Sequence, residues 1–385
     1  MKKTFFCVIF VLLFCFSIYI INPLLEVLSM EDNILVGSDD ISIANKNRVF
    51  GNCFVLELKD NQLDVSNPEK KNNEIVFKLF GFIPIKKVVA QVCDDDFYIG
   101  GVPIGLDIRT KGVIVLDKGQ SDFCDGDIIT KVNDNEIVSV DDVAPALMKN
   151  DLTANVEFLR KNKKKSAIVK VSAIGGDLKL GVLAKDTISG IGTLTYVNKS
   201  TDEFGSLGHP LIESEGKNVV PVQCGNVVEC EILGIEKSVC GKPGELKCSI
   251  FESANKKGVI ENNTNFGVLG KIYDKNNLID ENQCAKICGK CAVCAGKAKL
   301  VSSIGGLREE YDIEIVKAKK QKGADDKSLV IRVTDKRLLN LTGGIVQGMS
   351  GSPIIQNGKL VGAVTHVFTS DPTMGYGVYI DWMLQ

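Results

Sequence analysis

A chain of 385 residues, 44% hydrophobic and 24% charged, has enough apolar material for two folded domains and a tail. Its formal net charge of −2 offers no basic field to gather phosphates, which argues against a nucleic-acid partner and excludes little else.

The N-terminus departs from this average. Met1-Lys2-Lys3 precedes an almost unbroken apolar run from Phe5 to Ile21, extended by Pro23-Leu24-Leu25. Two lysines before such a run read as a flank kept on the cytoplasmic side, and a bilayer takes roughly 20 apolar residues. The stretch from Ile18 to Asn22 is bulky and offers no small-x-small cleavage site. Residues 1–25 are therefore expected to form an uncleaved signal-anchor, with the rest of the chain outside the cytoplasm, either anchored or secreted. Thirteen cysteines sit awkwardly with an oxidising space. Two of them, Cys7 and Cys15, lie in the apolar run, and the eleven that remain are an odd number that full intramolecular pairing cannot satisfy.

Residues 26–95 read as a membrane-proximal β segment. The polar run Ser66 to Asn73 is a loop between short strands, and Glu74 to Phe80 is a strand leading into Gly81-Phe82-Ile83-Pro84. Residues 96–175 read as a compact module. A glycine-rich turn, Gly100-Gly101, enters the strand Gly105-Leu106-Asp107-Ile108, and Gly112 to Leu116 is a second strand. Asp125 to Ile137 gives a turn, a strand and another turn, and a helix is expected over Val140–Lys149 with Ser139 capping it. Alternating strands at Ala154–Phe158 and Lys165–Val171 close the module. This order resembles a PDZ domain, most recognisably at Gly126-Asp127-Ile128-Ile129 and Val132-Asn133. Such a groove would take an extended peptide as an added strand beside Gly105, Leu106, Asp107 and Ile108. Residues 176–385 are strand-rich with many glycine turns, which suggests a barrel or sandwich.

The strongest chemical signal is Gly348-Met349-Ser350-Gly351-Ser352-Pro353. Glycines on both sides of a serine let the backbone turn sharply, expose the hydroxyl and bring N–H groups together. The N–H groups of Gly348 and Ser350 would form the oxyanion hole of a tetrahedral intermediate. Two strands joined by Asn357-Gly358 follow, a strong hairpin signal. Gly-x-Ser-Gly-x-Pro before a hairpin resembles the nucleophile region of chymotrypsin-like peptidases. A serine nucleophile needs a base, and histidine, with an ordinary pKa of about 6.5, is the usual one. The chain has two histidines. His209, in Gly205-Ser206-Leu207-Gly208-His209-Pro210 after a strand, suits a base projecting into a cleft between barrels. His366 lies in the strand expected to line the substrate groove, as a binding or half-buried residue. For the orienting acid, Asp335 lies at a strand end shortly before the Ser350 loop, while Asp274 lies nearer His209 in sequence; the residues leave that choice open.

The run from Thr334 to Met383 resembles the stage IV sporulation protein B peptidases of spore-forming bacteria. So do Gly192-Thr193-Leu194-Thr195-Tyr196, Gly205 to Pro210, Lys78 to Pro84, and the closing stretch through Thr365-His366, Asp371-Pro372-Thr373, Gly375-Tyr376-Gly377-Val378 and Trp382-Met383. The resemblance implies a catalytic set of His209, Asp335 and Ser350, with Asp335 chosen over Asp274. It also implies secretion from the forespore into the space between its two membranes. There such peptidases cleave themselves and then a membrane-bound regulatory partner, which leads to pro-sigma-K processing.

Outside that pattern, Cys284, Cys288, Cys291 and Cys294 pack four thiols into one short run, a spacing that could supply thiolates to zinc or an iron–sulfur cluster, with Cys240 and Cys248 as further thiols. One tight run without a second knuckle seldom closes a tetrahedral site, so reduced or disulfide-linked surface thiols are expected and no metal or cofactor is required. The expected fold is mainly β: an N-terminal membrane anchor, a PDZ domain and a chymotrypsin-like double β-barrel peptidase domain. The expected partners are a membrane-bound regulatory protein, the chain itself in self-cleavage, a peptide in the PDZ groove and the membrane. The rival reading is an anchored PDZ scaffold whose peptidase-like body is inactive.

Overall fold

A computed structural model describes residues 32–37, 54–58, 72–80, 82–147, 152–174, 177–212, 219–250, 255–321 and 323–385, with a few positions between Ile21 and Leu28. The expected anchor, residues 1–25, lies outside the described residues apart from Ile21, Leu24 and Leu25. Among the described residues no helix is long and apolar enough to cross a membrane.

The chain is mainly strand. β1 (Asn33–Gly37), β2 (Phe54–Leu58), β3 (Asn72–Leu79) and β4 (Ile83–Cys93) form a small sheet in the order β1-β4-β3-β2. Its core gathers Val27, Ile34, Phe77, Val88 and Ala90. β5 (Phe97–Ile99) is short, and β6 (Pro103–Asp117) is long enough to serve two cores in turn.

The C-terminal half of β6 belongs to a small module with β7 (Ile128–Val132), β8 (Asn135–Glu136), β9 (Thr153–Arg160) and β10 (Lys163–Lys170). Val113, Val115, Phe123, Ile129, Val132, Val156 and Phe158 pack inside it. The helix expected over Val140–Lys149 is shorter among the described residues. A 3-10 turn at Val140–Asp142 runs into α1 (Val143–Ala146), and Leu147 is already extended. Ser139 is the N-cap residue, as read from the sequence, and the Asp142 carboxylate accepts the backbone N–H groups of Ser139 and Val138 at 2.7 and 3.0 Å. β11 (Ser172–Ile174) and β12 (Asp177–Lys179) pair and lead to β13 (Leu183–Asn198).

The N-terminal half of β6 corrects the expectation for Gly105, Leu106, Asp107 and Ile108. No free peptide-binding edge exists there, because both edges are paired. Leu106 and Ile108 lie opposite Gly190 and Ile188 of β13, and opposite Val227 and Gly225 of β15 (Val222–Glu236) on the other side. With β14 (Glu203–Ser206), β17 (Lys256–Thr264) and β18 (Gly267–Ile272) these strands close a ring, β6-β13-β14-β18-β17-β15. The reason lies in the period of two along Ile104, Leu106 and Ile108, whose side chains all point inward and are fully buried with Leu194, Phe204, Val227, Ile260 and Val268. Burying each such side chain contributes about 1.5–3 kcal/mol to the interior of the ring.

β16 (Gly244–Ile250) pairs with β15 and, in parallel, with β23 (Val346–Gln347). β19 (Cys284–Ala285) pairs with β5. A second six-stranded barrel closes in the order β20-β21-β22-β26-β25-β24, formed by β20 (Gly296–Ser302), β21 (Glu309–Ala318), β22 (Leu329–Val333), β24 (Pro353–Gln356), β25 (Lys359–Val367) and β26 (Met374–Tyr379). Leu300, Ile313, Ile315, Ile331, Ile354, Val361 and Val378 fill it. Two short helices complete the chain, α2 (Lys336–Thr342) between β22 and β23 and α3 (Ile380–Met383) after β26.

Candidate active site

The Ser350 loop runs from β23, which pairs with β16, into β24 of the second barrel. Two glycines set its path: Gly348 has a φ of 97° and Gly351 a φ of 96°, backbone that L side chains rarely adopt. Met349 between them is fully buried and acts as the apolar anchor of the turn. The loop is then tied to β13 of the first barrel. Thr193 Oγ1 donates to Gly348 O at 2.8 Å, the Thr193 N–H donates to Ser350 O at 2.8 Å, and Thr195 Oγ1 donates to Gly351 O at 2.7 Å. These two threonines were missed in the sequence. Their signal was there: two hydroxyls spaced by two on one strand share a face, and both are buried.

His209 comes from the other barrel, on the turn after β14. Leu207 and Gly208 both sit in the left-handed region, with φ of 68° and 70°. This double turn lays Gly208 against Thr365 and Val364 of β25, and Leu207 against Gly351. The structure thus brings the His209 and Ser350 loops into contact. The His209 ring Nδ1 lies 3.0 Å from Pro210 O. Since a carbonyl only accepts, Nδ1 carries the proton, which leaves Nε2 with its lone pair. Burial pushes the His209 pKa below its ordinary value, against the Pro210 carbonyl and the charge of Asp326, which both raise it. The Ser350 hydroxyl donates to Thr365 O at 2.8 Å and makes no hydrogen bond to His209 in this state.

His366, on β25, places its ring centroid 5.1 Å from that of His209, at an interplanar angle of 39°. Both candidate histidines therefore stand at the same spot.

The structure does not bring either carboxylate weighed from the sequence to His209. Asp335 is the N-cap of α2 and is 8% exposed. Its oxygens accept from the N–H groups of Asp312 and Arg337 at 3.1 and 2.8 Å, and from the Arg337 guanidinium at 2.9 Å. The Arg337 side chain, with desolvation opposing it, holds this carboxyl down at about 2. The sign follows. A carboxyl depressed in the folded state contributes stability above its ordinary pKa of about 3.9, and that contribution is lost as pH falls towards 2. Asp335→Asn keeps a capping oxygen but loses the ion pair with Arg337, so it is expected to cost about 1 kcal/mol of stability at pH 7 and to lower the melting temperature, with a smaller difference from wild type near pH 2. Thermal melts at the two pH values check it. Asp274 is paired with Lys257 Nζ at 2.8 Å.

The four clustered cysteines are strung along a strap, not gathered. Cys284 lies opposite Tyr98 of β5, the Cys288 N–H donates to Leu360 O, and the Cys294 N–H donates to Gln356 Oε1. Among the described residues no three His, Cys, Asp or Glu side chains are grouped as metal ligands.

A family model described as SpoIVB peptidase S55 matches residues 176–384. No curated protein matches the chain. Among similar solved structures, the PDZ domain of an SdrC-like protein from Listeria monocytogenes is 22% identical with a TM-score of 0.18, covering 19% of this chain and 87% of that one. The HtrA-type protease AlgW, solved with a decapeptide, is 12% identical with a TM-score of 0.30; the match covers 52% of each chain, about half the length of that protease.

Proposed function

The chain belongs to the SpoIVB peptidase S55 family of serine peptidases, and from that premise we propose that Ser350 is its nucleophile and His209 its general base. One observation carries the assignment: the Ser350 loop and the His209 turn meet, Gly351 against Leu207 and Gly208 against Thr365, with the His209 Nδ1 turned to Pro210 O. In the mechanism, the Ser350 hydroxyl turns from Thr365 O towards His209 and gives its proton to Nε2 as the oxygen attacks a peptide carbonyl. The Gly348 and Ser350 N–H groups hold the oxyanion. His209 then passes the proton to the leaving amine, and water releases the acyl group. Asp335, the orienting acid that the family resemblance implies, also fastens the start of α2, the helix that leads into the Ser350 loop.

The substrates we propose are the chain itself and a membrane-bound regulatory protein of a sporulation pathway leading to pro-sigma-K processing, in the forespore intermembrane space. Family membership supports this. The lysine-flanked apolar run supports a membrane anchor over residues 1–25, and the strand–helix–hairpin order of 96–175 supports a PDZ-like module that targets or gates cleavage.

The test is covalent. A fluorophosphonate probe is expected to label the full chain at Ser350, identified by peptide mass. Because burial holds the His209 pKa below its ordinary value, the acid limb of the labelling rate should lie at lower pH than an ordinary imidazole would give. A folded wild type that stays unlabelled sinks the peptidase assignment and favours the inactive scaffold, a reading to which the Ser350–Thr365 hydrogen bond lends support.

A further inference from the structure

We propose that Cys230 and Cys248 form a thiol–disulfide site, Cys248 taking up a low-molecular-weight disulfide and Cys230 closing the bridge, and that the closed bridge slows the Ser350 site. The second half rests on the Ser350–His209 assignment; the first stands without it.

Strand register places the two thiols together. β15 and β16 run antiparallel, with Cys230 opposite Ile250 and Cys248 opposite Ile232. Residues opposite one another share a face, as do residues two apart on a strand, so both side chains leave the ladder on one side, diagonal to each other. They are in contact. The Cys230 S–H donates to the Cys248 sulfur, and both residues are half-buried, within reach of solvent. That hydrogen bond holds the Cys248 pKa below its ordinary value, against partial burial and the charge of Glu245. The same bond, with burial, pushes that of Cys230 up. Cys248 is therefore the thiol that ionises first and the nucleophile of the pair.

The exchange balances. The Cys248 thiolate attacks one sulfur of the small disulfide, a mixed disulfide forms on Cys248, and the other half leaves as a thiolate that takes a proton from water. Cys230 then loses its proton to water and attacks the Cys248 sulfur, which forms the bridge and expels the second half as a thiol. Two protein thiols are oxidised, and one small disulfide is reduced to two thiols. Closing has a geometric cost. Diagonal neighbours stand about 7–8 Å apart and a disulfide takes about 4.4–6.8 Å between Cα atoms, so β16 must be drawn along β15. The ladder yields beside the pair, where the register shifts between Ile232 and Gly234 and leaves Leu233 exposed. β16 also backs the Ser350 loop. Gly244 and Glu245 lie opposite Val346 and Gln347, and a Cβ on Gly348 would stand 2.9 Å from Leu246 Cβ. Drawing β16 along β15 moves the wall against which the Gly348 N–H is set.

The experiment treats the full chain with glutathione disulfide or with dithiothreitol, maps bridges by peptide mass and measures the rate of fluorophosphonate labelling at Ser350. Wild type, Cys230→Ser and Cys248→Ser are compared. Oxidised wild type is expected to carry a Cys230–Cys248 bridge and to label about tenfold more slowly, with dithiothreitol restoring the rate. Cys230→Ser should stop at a glutathione adduct on Cys248. Cys248→Ser should form no bridge and no adduct at Cys230, and should keep its reduced rate after oxidation, which separates this pair from the other thiols. The proposal is overturned if both thiols of oxidised wild type still alkylate, if the bridge forms and the rate does not move, or if Cys248→Ser slows on oxidation as wild type does. A reduced wild type that does not label removes the Ser350 assignment, while the bridge map still decides the thiol pair.

Discussion

Ser350→Ala should leave a protein that folds as the wild type does and cuts nothing. The side chain makes one hydrogen bond, to Thr365 O, and its loss costs about 1 kcal/mol at most. The loop is held by other means: buried Met349, the Gly348 and Gly351 turns, and the Thr193 and Thr195 hydroxyls. The nucleophile, by contrast, has no substitute. Removing it should lower kcat/KM for an unfolded protein substrate by at least ~10³-fold, and intact-mass measurements should show the variant whole where the wild type fragments. If both fragment alike, Ser350 is not the nucleophile of that cleavage.

Gly351→Ala should be nearly as damaging by a different route. A Cβ at Gly351 would be driven into Thr193 O and against the Leu207 backbone, well inside van der Waals contact, at a φ of 96° that alanine resists. The clash lies on the seam between the Ser350 loop and the turn that carries His209, so relief means parting nucleophile from base. A loss of ~10²-fold or more in labelling rate is expected, together with a melting temperature several degrees lower. Gly358→Ala is the control. Gly358 also has a left-handed φ, 76°, but a Cβ there meets nothing, so only backbone strain of about 1 kcal/mol should appear, and labelling should persist. Equal labelling loss in both variants would show that general destabilisation, not the seam, is responsible.

What could be read from the sequence was local. Asn357-Gly358 announces a two-residue hairpin turn, and the structure has both residues at positive φ, 53° and 76°. The Ser350 loop and the His209 turn are likewise written in consecutive glycines. The cap role of Asp335 had a local signal too: an aspartate followed by a short apolar-spaced run and a glycine in left-handed backbone, Gly343, marks a capped helix. Two features had no local signature. The alternation of Ile104, Leu106 and Ile108 shows that β6 buries one face, but not that two distant strands take both its edges. Nor does any spacing reveal that Asp326 faces two histidines from separate segments, because charge acts through space and not along the chain.

β6 carries a consequence for how the molecule comes apart. Its first half seals the six-stranded ring with Ile104, Leu106 and Ile108, and its second half gives Val113 and Val115 to the neighbouring core. A rod built into two hydrophobic interiors cannot leave one without loosening the other. The small module and the first barrel are therefore one cooperative unit in hydrogen exchange, opening together with a shared free energy, and no hinge between them can be cut or flexed while both stay native.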